Sequence, residues 1–282
     1  MAFDPFSAPE FGQTRPGLGV LRMAVLLADA EDSSGDDLPS LLAQQVEAGC
    51  LDDVAPSEVW EEILPGLMGG APGRMLRILR GCGALERILP EVDALFGVPQ
   101  ISEGQGEVDL GELVIAALDD AAAIGAPLPV RFALLTMNVG KSDSPPEHLP
   151  IHYKHIQRGA PRIEAIAARF EAPGECRDLA LLALAECERV HRVSEVRAGP
   201  VAAMLERLGA FDARARFDQL MMVCACDFRG HNLRSGLAYA KAALLAAALE
   251  ACAPLGETAS AEARAEAIAI AFRSQRWSNE TA

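Results

Sequence analysis

Two histidines placed three positions apart, His152 and His155, are the residues of this sequence whose type and spacing best suit metal chemistry. Both fall at the start of a predicted helix over residues 152–170, where a spacing of three puts side chains on one face. Imidazoles so placed can ligate a metal. The alternative, which we expect, is that these histidines are polar residues that bind no metal.

The segment FALLTMNVGKSDSP, residues 132–145, ends an apolar run in a short polar stretch. This pattern is typical of a buried helix that leads into a small polar site. Lys141, which follows Gly140, is a candidate contact for an anion such as a phosphate group. The loop after it is rich in serine and aspartate, so the alternative is a lysine that is simply hydrated.

Arginine supplies nearly all of the positive charge, because the chain contains only three lysines. Guanidinium groups suit phosphate recognition, and Arg189 and Arg192 lie three apart on one predicted helix. The other candidate RNA contacts are Arg214, Arg216, Arg229 and Arg234. Aspartates alternate with these later arginines, so a hydrated surface is the alternative. We expect Asp227 and Arg229 to form a structural ion pair or a helix-end interaction.

The charge of the chain is uneven and limits the choice of partner. The 282 residues carry a net charge of -15, with 25 basic and 40 acidic residues. Residues 1–120 hold 6 basic and 22 acidic residues, a net of -16, whereas residues 121–282 have a net of +1. An acidic surface repels phosphate backbones, so we expect no DNA binding and assign any RNA contact to the second half.

Cysteine usage and hydropathy indicate the compartment and the class of protein. The seven cysteines include no Cys-x-x-Cys pair and lie mostly in apolar stretches, as expected of buried thiols in a reduced cytoplasm. No apolar run approaches the ~18 residues of a membrane span, and the N-terminus does not resemble a signal peptide. Two segments, residues 179–184 and 242–249, are almost wholly apolar, which indicates burial in the core or in an interface with a protein partner or a second copy.

The elements that must position these residues are predicted to be helices throughout. The first ~15 residues read as an extended arm, and residues 101–107 (ISEGQGE) as a turn-rich break between subdomains. The only alternating segment, residues 193–196, is too short to carry a sheet. Apolar spacings of three and four predict helices over residues 18–30, 38–48, 56–68, 74–82, 110–124, 130–138, 152–170, 175–193, 200–208, 213–226, 236–251 and 260–276.

From residue 81 the sequence closely resembles the helical neck-and-body region of bacterial CCA-adding enzymes, the tRNA nucleotidyltransferases that carry a C-terminal HD phosphohydrolase domain. The resemblance covers nearly the whole chain from about residue 7, almost without gaps between residues 81 and 230. It rests on many short motifs in the family's order. They are GCGALERILPEVDALFGVPQ at 81–100, EVDLG at 107–111, VRFA at 130–133, GK at 140–141, SPPE at 144–147, His152-x-x-His155, RDLA at 177–180 and DFRG at 227–230.

The resemblance also implies what this chain lacks. The family's nucleotidyltransferase head, with its two-metal carboxylate pair, would precede residue 7, so we expect no nucleotide addition by this chain alone. Family HD domains place metal-binding residues at four positions that are occupied here by poor ligands for a hard cation. These degenerate positions are Leu113, Met137, Asn138 and Cys187.

Together these observations predict an all-α protein of the neck, body and tail type. We expect an acidic N-terminal arm and neck over residues 1–100, a degenerate HD-like domain over 101–196 and a helical tail over 197–282. The leading hypothesis is a non-catalytic protein that binds RNA or protein in tRNA metabolism and needs no cofactor. In it, Lys141, His152 and His155 are remnants of the pocket. The alternative is a metal-dependent phosphohydrolase acting on 2′,3′-cyclic phosphodiesters, nucleotides or phosphate esters. Its remodelled ligand set would be His152, His155 and Cys187, with Asn138 as a further candidate, and the cysteine would favour zinc or another soft ion.

Overall fold

The computed structural model describes residues 15–30, 38–102, 105–194, 196–232, 236–256 and 258–280. Within these residues the chain is almost entirely helical, which confirms the predicted all-α class; the predicted N-terminal arm lies outside them. The helices are α1 Pro16–Asp29, α2 Leu38–Glu47, α3 Pro56–Met68, α4 Pro72–Gly81, α5 Ala84–Ile88, α6 Pro90–Asp93, α7 Leu110–Ala123, α8 Leu128–Thr136, α9 His155–Arg169, α10 Gly174–His191, α11 Ala198–Arg207, α12 Arg214–Asn232, α13 Ala240–Cys252 and α14 Ala261–Glu280.

Proline and serine mark the beginnings of several helices. Proline is the first residue of α1, α3, α4 and α6, where its fixed φ suits a helix and its missing N–H costs no hydrogen bond. Ser260 caps α14, as its sequence position predicts, by accepting a hydrogen bond from the backbone N–H of Ala263. These local signals explain why most predicted boundaries lie within a few residues of the observed ones.

A short antiparallel hairpin replaces the predicted break at residues 101–107. Strand β1, Pro99–Ser102, pairs with β2, Gly106–Asp109, and Ile101 lies opposite Glu107. Four residues per strand are too few for an alternating pattern to be recognised, so the prediction of no strand here was wrong. The hairpin is attached to α12, since the Ser102 hydroxyl and the Gln105 side-chain amide both donate to the carbonyl of His231.

Two helices differ from their predicted ranges in ways that affect the site. Helix α9 begins at His155, after Lys154 in a left-handed conformation with φ of 58°, so His152 precedes the helix. The prediction that both histidines share one helical face was therefore wrong. Helix α12 continues beyond the predicted Cys226 through Gly230, where the absence of a side chain lets the helix lie against the backbone of α7.

The core is continuous from the first helices to the second half of the chain. Trp60 on α3 stacks against Phe170 and meets Phe132 edge to face, with ring centroids 5.5 and 6.0 Å away. Arg131 on α8 is buried, and its guanidinium donates to the carbonyls of Leu67 and Gly69 at the end of α3. The second half is built by the packing of α7 against α12 and of α8 against α10.

Core packing accounts for only part of the burial that the sequence predicts, since in the apolar segment 242–249 just Leu245, Ala248 and Leu249 are buried. All seven cysteines are free thiols, and six of them are buried. In the apolar segment 179–184, Leu179, Ala180, Ala183 and Leu184 are buried within α10. None of the helices in the described ranges is long and apolar enough to cross a membrane.

Candidate functional site

A cavity of about 620 Å³ lies where α8, α10 and α12 come together beside the hairpin and the start of α13. The end of α8 and the 3-10 turn Val139–Lys141 form one wall, and α10 and α12 form the opposite one. Its polar and charged lining is unusually rich in histidine. The ionisable residues that line it are Lys141, His155, Cys187, Glu188, His191, Arg192, Asp227, His231, Tyr239 and Lys241.

Three of these side chains form a compact cluster on two packed helices. Cys187 and His191 lie four residues apart on one face of α10, and Asp227 reaches them from α12. His191 Nε2 is 3.1 Å from Asp227 Oδ2 and 3.3 Å from Cys187 Sγ, and the sulfur is 4.0 Å from the same carboxylate oxygen. All three ligand atoms lie within 4.8 Å of one another.

The electrostatics of the cluster favour an ion pair between His191 and Asp227 at neutral pH. Burial alone would lower the pKa of His191, but its hydrogen bonds to Asp227 and Cys187 raise that pKa to about 10. Burial would raise the pKa of Asp227, but the hydrogen bond from His191 lowers it to about 2. The neighbouring Cys224 thiol and burial raise the pKa of Cys187, so this thiol stays protonated.

Tyr239 fixes the orientation of the His191 ring. Its hydroxyl lies 2.7 Å from His191 Nδ1, and the two rings meet edge to face. His231 completes this side of the cavity, with its Nε2 atom 4.0 Å from Asp227 Oδ2. Both ring nitrogens of His191 therefore have polar neighbours, and the ring cannot turn without losing them.

A second polar group faces this cluster across the cavity. Lys141 is buried, and its ammonium lies 3.2 Å from Gln100 Oε1 and 3.4 Å from Glu188 Oε1. His155 Nε2 is 3.7 Å from the same Glu188 oxygen. The hydrated alternative for Lys141 is thus wrong, since its charge is held inside the pocket.

Only some of the residues predicted for the pocket line the cavity. Met137, Asn138, Lys141, His155 and Cys187 line the cavity. His152 does not, because its Nδ1 lies 2.9 Å from the Ser144 hydroxyl and its Nε2 N–H donates to the Pro99 carbonyl. Leu113 is buried in α7 and is also absent from the lining.

The alternative ligand set predicted from sequence is therefore not the one that the structure assembles. His152 is turned away, and His155 Nδ1 is bonded to the backbone carbonyl of His152. Sequence reasoning missed His191 and Asp227. The four-residue spacing of Cys187 and His191 was available as a signal, whereas nothing local in the sequence joins Asp227 to them.

The predicted arginines occupy three different environments. Arg189 and Arg192 line a second groove of about 510 Å³, which shares Arg192 with the cavity. Arg197 and Arg207, which the sequence reading missed, line it too. Arg214 and Arg216 are exposed near the start of α12, and Arg214 pairs with Asp218 at 2.9 Å. Arg234 lies outside the described residues.

The predicted ion pair between Asp227 and Arg229 is wrong. Residues two apart on a helix point in different directions, so Arg229 on α12 meets Asp120 on α7 at 2.6 Å. Its side chain is only 12% exposed, which leaves it poorly placed for the surface RNA contact predicted for it.

Comparisons with known proteins establish the ancestry of the chain. No family model matches it. The multifunctional CCA protein of Cupriavidus necator is 44% identical over 223 residues, which cover 79% of this chain and 54% of the relative. Those of Cupriavidus taiwanensis and Paracidovorax citrulli are 41% identical over 251 and 249 residues, which cover 89% and 88% of this chain. The chain is homologous to part of the multifunctional CCA proteins.

This finding confirms the resemblance inferred from the motifs. The chain spans 54–60% of the length of these three multifunctional CCA proteins. The homology therefore concerns a region of those proteins and not their whole length.

Proposed function

We propose that this relative of the multifunctional CCA proteins binds tRNA through the groove between α10 and α11. The homology points to tRNA as the ligand class, since the CCA sequence is the 3′ end of tRNA. The groove supplies the single observation that carries the proposal, a concave surface lined by four arginines. Guanidinium groups bind phosphates bidentately, so such a surface suits a nucleic-acid backbone.

The arginines of the groove are accessible to a ligand. The side chains of Arg189, Arg192 and Arg207 are 53, 80 and 54% exposed. Among the described residues that line the groove there is no carboxylate. Three of these arginines have carboxylate partners. Arg189 and Arg207 lie 2.7 and 3.9 Å from oxygens of the buried Glu186, and Arg192 lies 3.6 Å from an oxygen of Glu188, whose side chain is 46% exposed. Four guanidinium groups against two carboxylates still leave the groove with an excess of positive charge.

The catalytic part of the proposal is that the family's HD chemistry does not operate with the residues present here. The resemblance places metal ligands at Leu113, Met137 and Asn138, which offer a hydrocarbon, a thioether and a neutral amide. Leu113 is also enclosed in the core. Hard divalent cations require carboxylate, imidazole or water ligands, so these positions do not fit one.

Fluorescence anisotropy with labelled tRNA tests the binding proposal. We expect saturable binding that weakens by an order of magnitude or more between about 50 and about 200 mM salt, because several phosphates are contacted. The double variant Arg197→Glu/Arg207→Glu should weaken binding at least tenfold. The control Arg77→Glu makes the same kind of charge change on exposed α4 and should leave affinity within about twofold. Absence of binding by folded protein at low salt, or equal losses in both variants, would overturn the proposal.

The second candidate function is metal-dependent phosphoester hydrolysis, favoured by the grouping of Cys187, His191 and Asp227 inside a cavity that also holds Lys141. In this case the groove would help to bind the substrate, and a bound metal would supply an activated water. Hydrolysis of a 2′,3′-cyclic nucleotide or a chromogenic phosphate ester should then require added divalent metal. It should be lost in His191→Ala and retained in His148→Ala, which changes an exposed histidine. Inertness toward both substrates would reject this candidate.

A further inference from the structure

We propose that Cys187, His191 and Asp227 form a binding site for a zinc-class divalent cation, in which Cys187 occupies a position where the CCA-protein resemblance implies a metal ligand. The inference does not depend on RNA binding or on hydrolysis. It rests on the placement of a thiol, an imidazole and a carboxylate around one point of the cavity.

The separations among the three donor atoms suit tetrahedral coordination. Zinc bonds of about 2.3 Å to sulfur and about 2.0–2.1 Å to nitrogen or oxygen imply donor-to-donor distances of roughly 3.3–3.6 Å. The observed distances are 3.3 Å from sulfur to nitrogen, 3.1 Å from nitrogen to oxygen and 4.0 Å from sulfur to oxygen. Small rotations of side chains would therefore suffice to close the site around an ion.

The neighbours of His191 are those that a ligating histidine requires. Nε2 faces the other two donors, and Nδ1 lies 2.7 Å from the Tyr239 hydroxyl. Ligating imidazoles usually donate their second N–H to an oxygen, which fixes the tautomer and the ring plane. The other two histidines are less suited to ligation. His155 Nδ1 is hydrogen-bonded to the backbone carbonyl of His152, and its Nε2 faces Glu188. His152 Nε2 is hydrogen-bonded to the Pro99 carbonyl, and neither of its ring nitrogens lies in the cavity.

The charge of the site suits the exchange of two protons for one dication. On binding, the Cys187 thiol gives up its proton to become a thiolate, and His191 gives up the proton that it shares with Asp227. Two protons leave as one dication enters, so the net charge of the buried cluster is unchanged. Lys141, which lines the same cavity, lies 3.4 Å from Glu188, so its charge is balanced within the cavity.

The fourth position and the thiolate define the class of ion. Three protein donors leave one coordination position for water or for His231, whose Nε2 lies 4.0 Å from the Asp227 oxygen. A thiolate with an imidazole selects zinc, cobalt or a similar ion over magnesium and calcium, which prefer oxygen ligands. Met137 and Asn138 line the same cavity but take no part.

Titration of chelator-treated protein with Co²⁺, followed by competition with Zn²⁺, tests this site. We expect one equivalent to bind with the visible bands of tetrahedral cobalt and with a near-ultraviolet band of sulfur-to-cobalt charge transfer. Zinc should then displace the cobalt. The variant Cys187→Ser should abolish the charge-transfer band and weaken zinc binding at least tenfold, and His191→Ala should weaken it similarly. Cys176→Ser, another buried thiol on α10, is the matched control and should change neither.

The outcomes are decisive because the spectrum reports the donor atoms rather than stability. Absence of cobalt binding at micromolar protein concentration, or a charge-transfer band that survives in Cys187→Ser, would overturn the proposal. If His191→Ala does not fold, as judged by circular dichroism, Asp227→Asn serves in its place, because it keeps the volume of the side chain and loses the charge. The results of the metal titration and of the tRNA-binding assay are independent, because the anisotropy assay is run with chelator present.

Discussion

His152 is a buried neutral base that fastens the loop before α9 to strand β1. Its Nε2 N–H donates to the Pro99 carbonyl at 3.1 Å, and its Nδ1 faces the Ser144 hydroxyl at 2.9 Å. Burial, and after it the positive charge of Lys141, lower the pKa of His152 to about 4. Protonation of this ring therefore opposes the folded state.

The stability of the protein should consequently fall in mild acid through His152. Its pKa in the folded state lies below the unfolded value near 6.5, so the unfolded chain binds the proton more tightly. The contribution of neutral His152 to the free energy of unfolding is complete above pH 6.5 and is lost as the pH falls toward 4. We expect the free energy of unfolding, measured with urea, to drop by roughly 2 kcal/mol more in the wild type than in His152→Gln between pH 7 and 4.5. Parallel pH profiles of the two proteins would contradict this.

The ion pair between Asp120 and Arg229 is the most enclosed one that joins α7 to α12, with side chains 6 and 12% exposed. Asp120→Ala leaves the guanidinium buried without its partner, and we expect a loss of about 3 kcal/mol in the free energy of unfolding. Glu112→Ala, on the same helix but in an exposed pair with Arg77, should cost less than about 1 kcal/mol. Equal costs in chemical denaturation would show that burial of the first pair has no energetic consequence.

Individual site residues were predictable where the family resemblance or a short spacing pointed to them. Lys141, Met137, Asn138 and Cys187 were placed in a pocket by resemblance, and the structure puts them in one cavity. The ion pair predicted for Arg229 failed because its actual partner lies 109 positions earlier in the chain. Contacts of that range depend on helix packing, which spacing rules do not contain.

At the scale of elements, the 3-10 turn Val139–Lys141 lies directly against α9. A side chain added at Gly140 would overlap the carbonyl oxygen of His155 and the backbone of Gly159. This close contact brings Lys141 into the cavity beside His155. Two glycines facing each other thus set the distance between the turn and the helix.

Gly140→Ala should therefore separate the turn from α9. We expect a loss of about 1–3 kcal/mol in stability from overpacking, together with weakened Co²⁺ binding if the cavity wall shifts. Gly19→Ala is the matched control, since Gly19 lies inside α1 with open space around its Cα, and this change should stabilise the protein by up to about 1 kcal/mol. Thermal unfolding of the two variants gives the comparison, and a harmless Gly140→Ala would show that the contact can relax.

Helices were predictable from apolar spacing and hairpin strands were not. Helix α3 was predicted with its observed bounds because proline precedes a clear stripe of Val59, Ile63 and Leu67. The strands of the hairpin are only four residues long, and Ile101 on β1 is exposed, so they show neither length nor pattern. The hairpin is held in place by hydrogen bonds from Ser102 and Gln105 to the carbonyl of His231, which is far away in sequence.

At the scale of the whole molecule, the uneven charge should orient a bound RNA. Residues 1–120 carry a net charge of -16, and the arginine-lined groove lies beyond them at residues 189–207. Repulsion from the acidic part and attraction to the groove act together on a polyanion. The ligand should therefore approach the face that carries α10 and α11.

Photocrosslinking with thiouridine-substituted tRNA, followed by mass spectrometry, checks this orientation. We expect crosslinks to concentrate in residues 186–216 and to be sparse in residues 38–102. Raising the salt should reduce the first group in parallel with the anisotropy signal. Crosslinks that are densest on α2 to α4 would refute the orientation.

Two contacts between side chains or backbone groups connect the predicted domains on either side of the boundary between residues 100 and 101. Arg169 on α9 forms a bidentate pair with Glu91 on α6, with both oxygen–nitrogen distances at 2.8 Å. Gly73 donates its backbone N–H to Asp119 on α7. Turn composition marked residues 101–107 as a break, but composition does not report what packs across it.

The stacking of Trp60 also determines when this core can form during synthesis. Its aromatic partners are Phe132 and Phe170, so the ring emerges from the ribosome 72 and 110 residues ahead of them. At about 5–20 residues per second, that interval lasts roughly 5 to 20 seconds for the second partner. Throughout it, the Trp60 ring lacks these two partners and can contact chaperones and neighbouring nascent chains. This part of the core is thus completed only after residue 170 has been made.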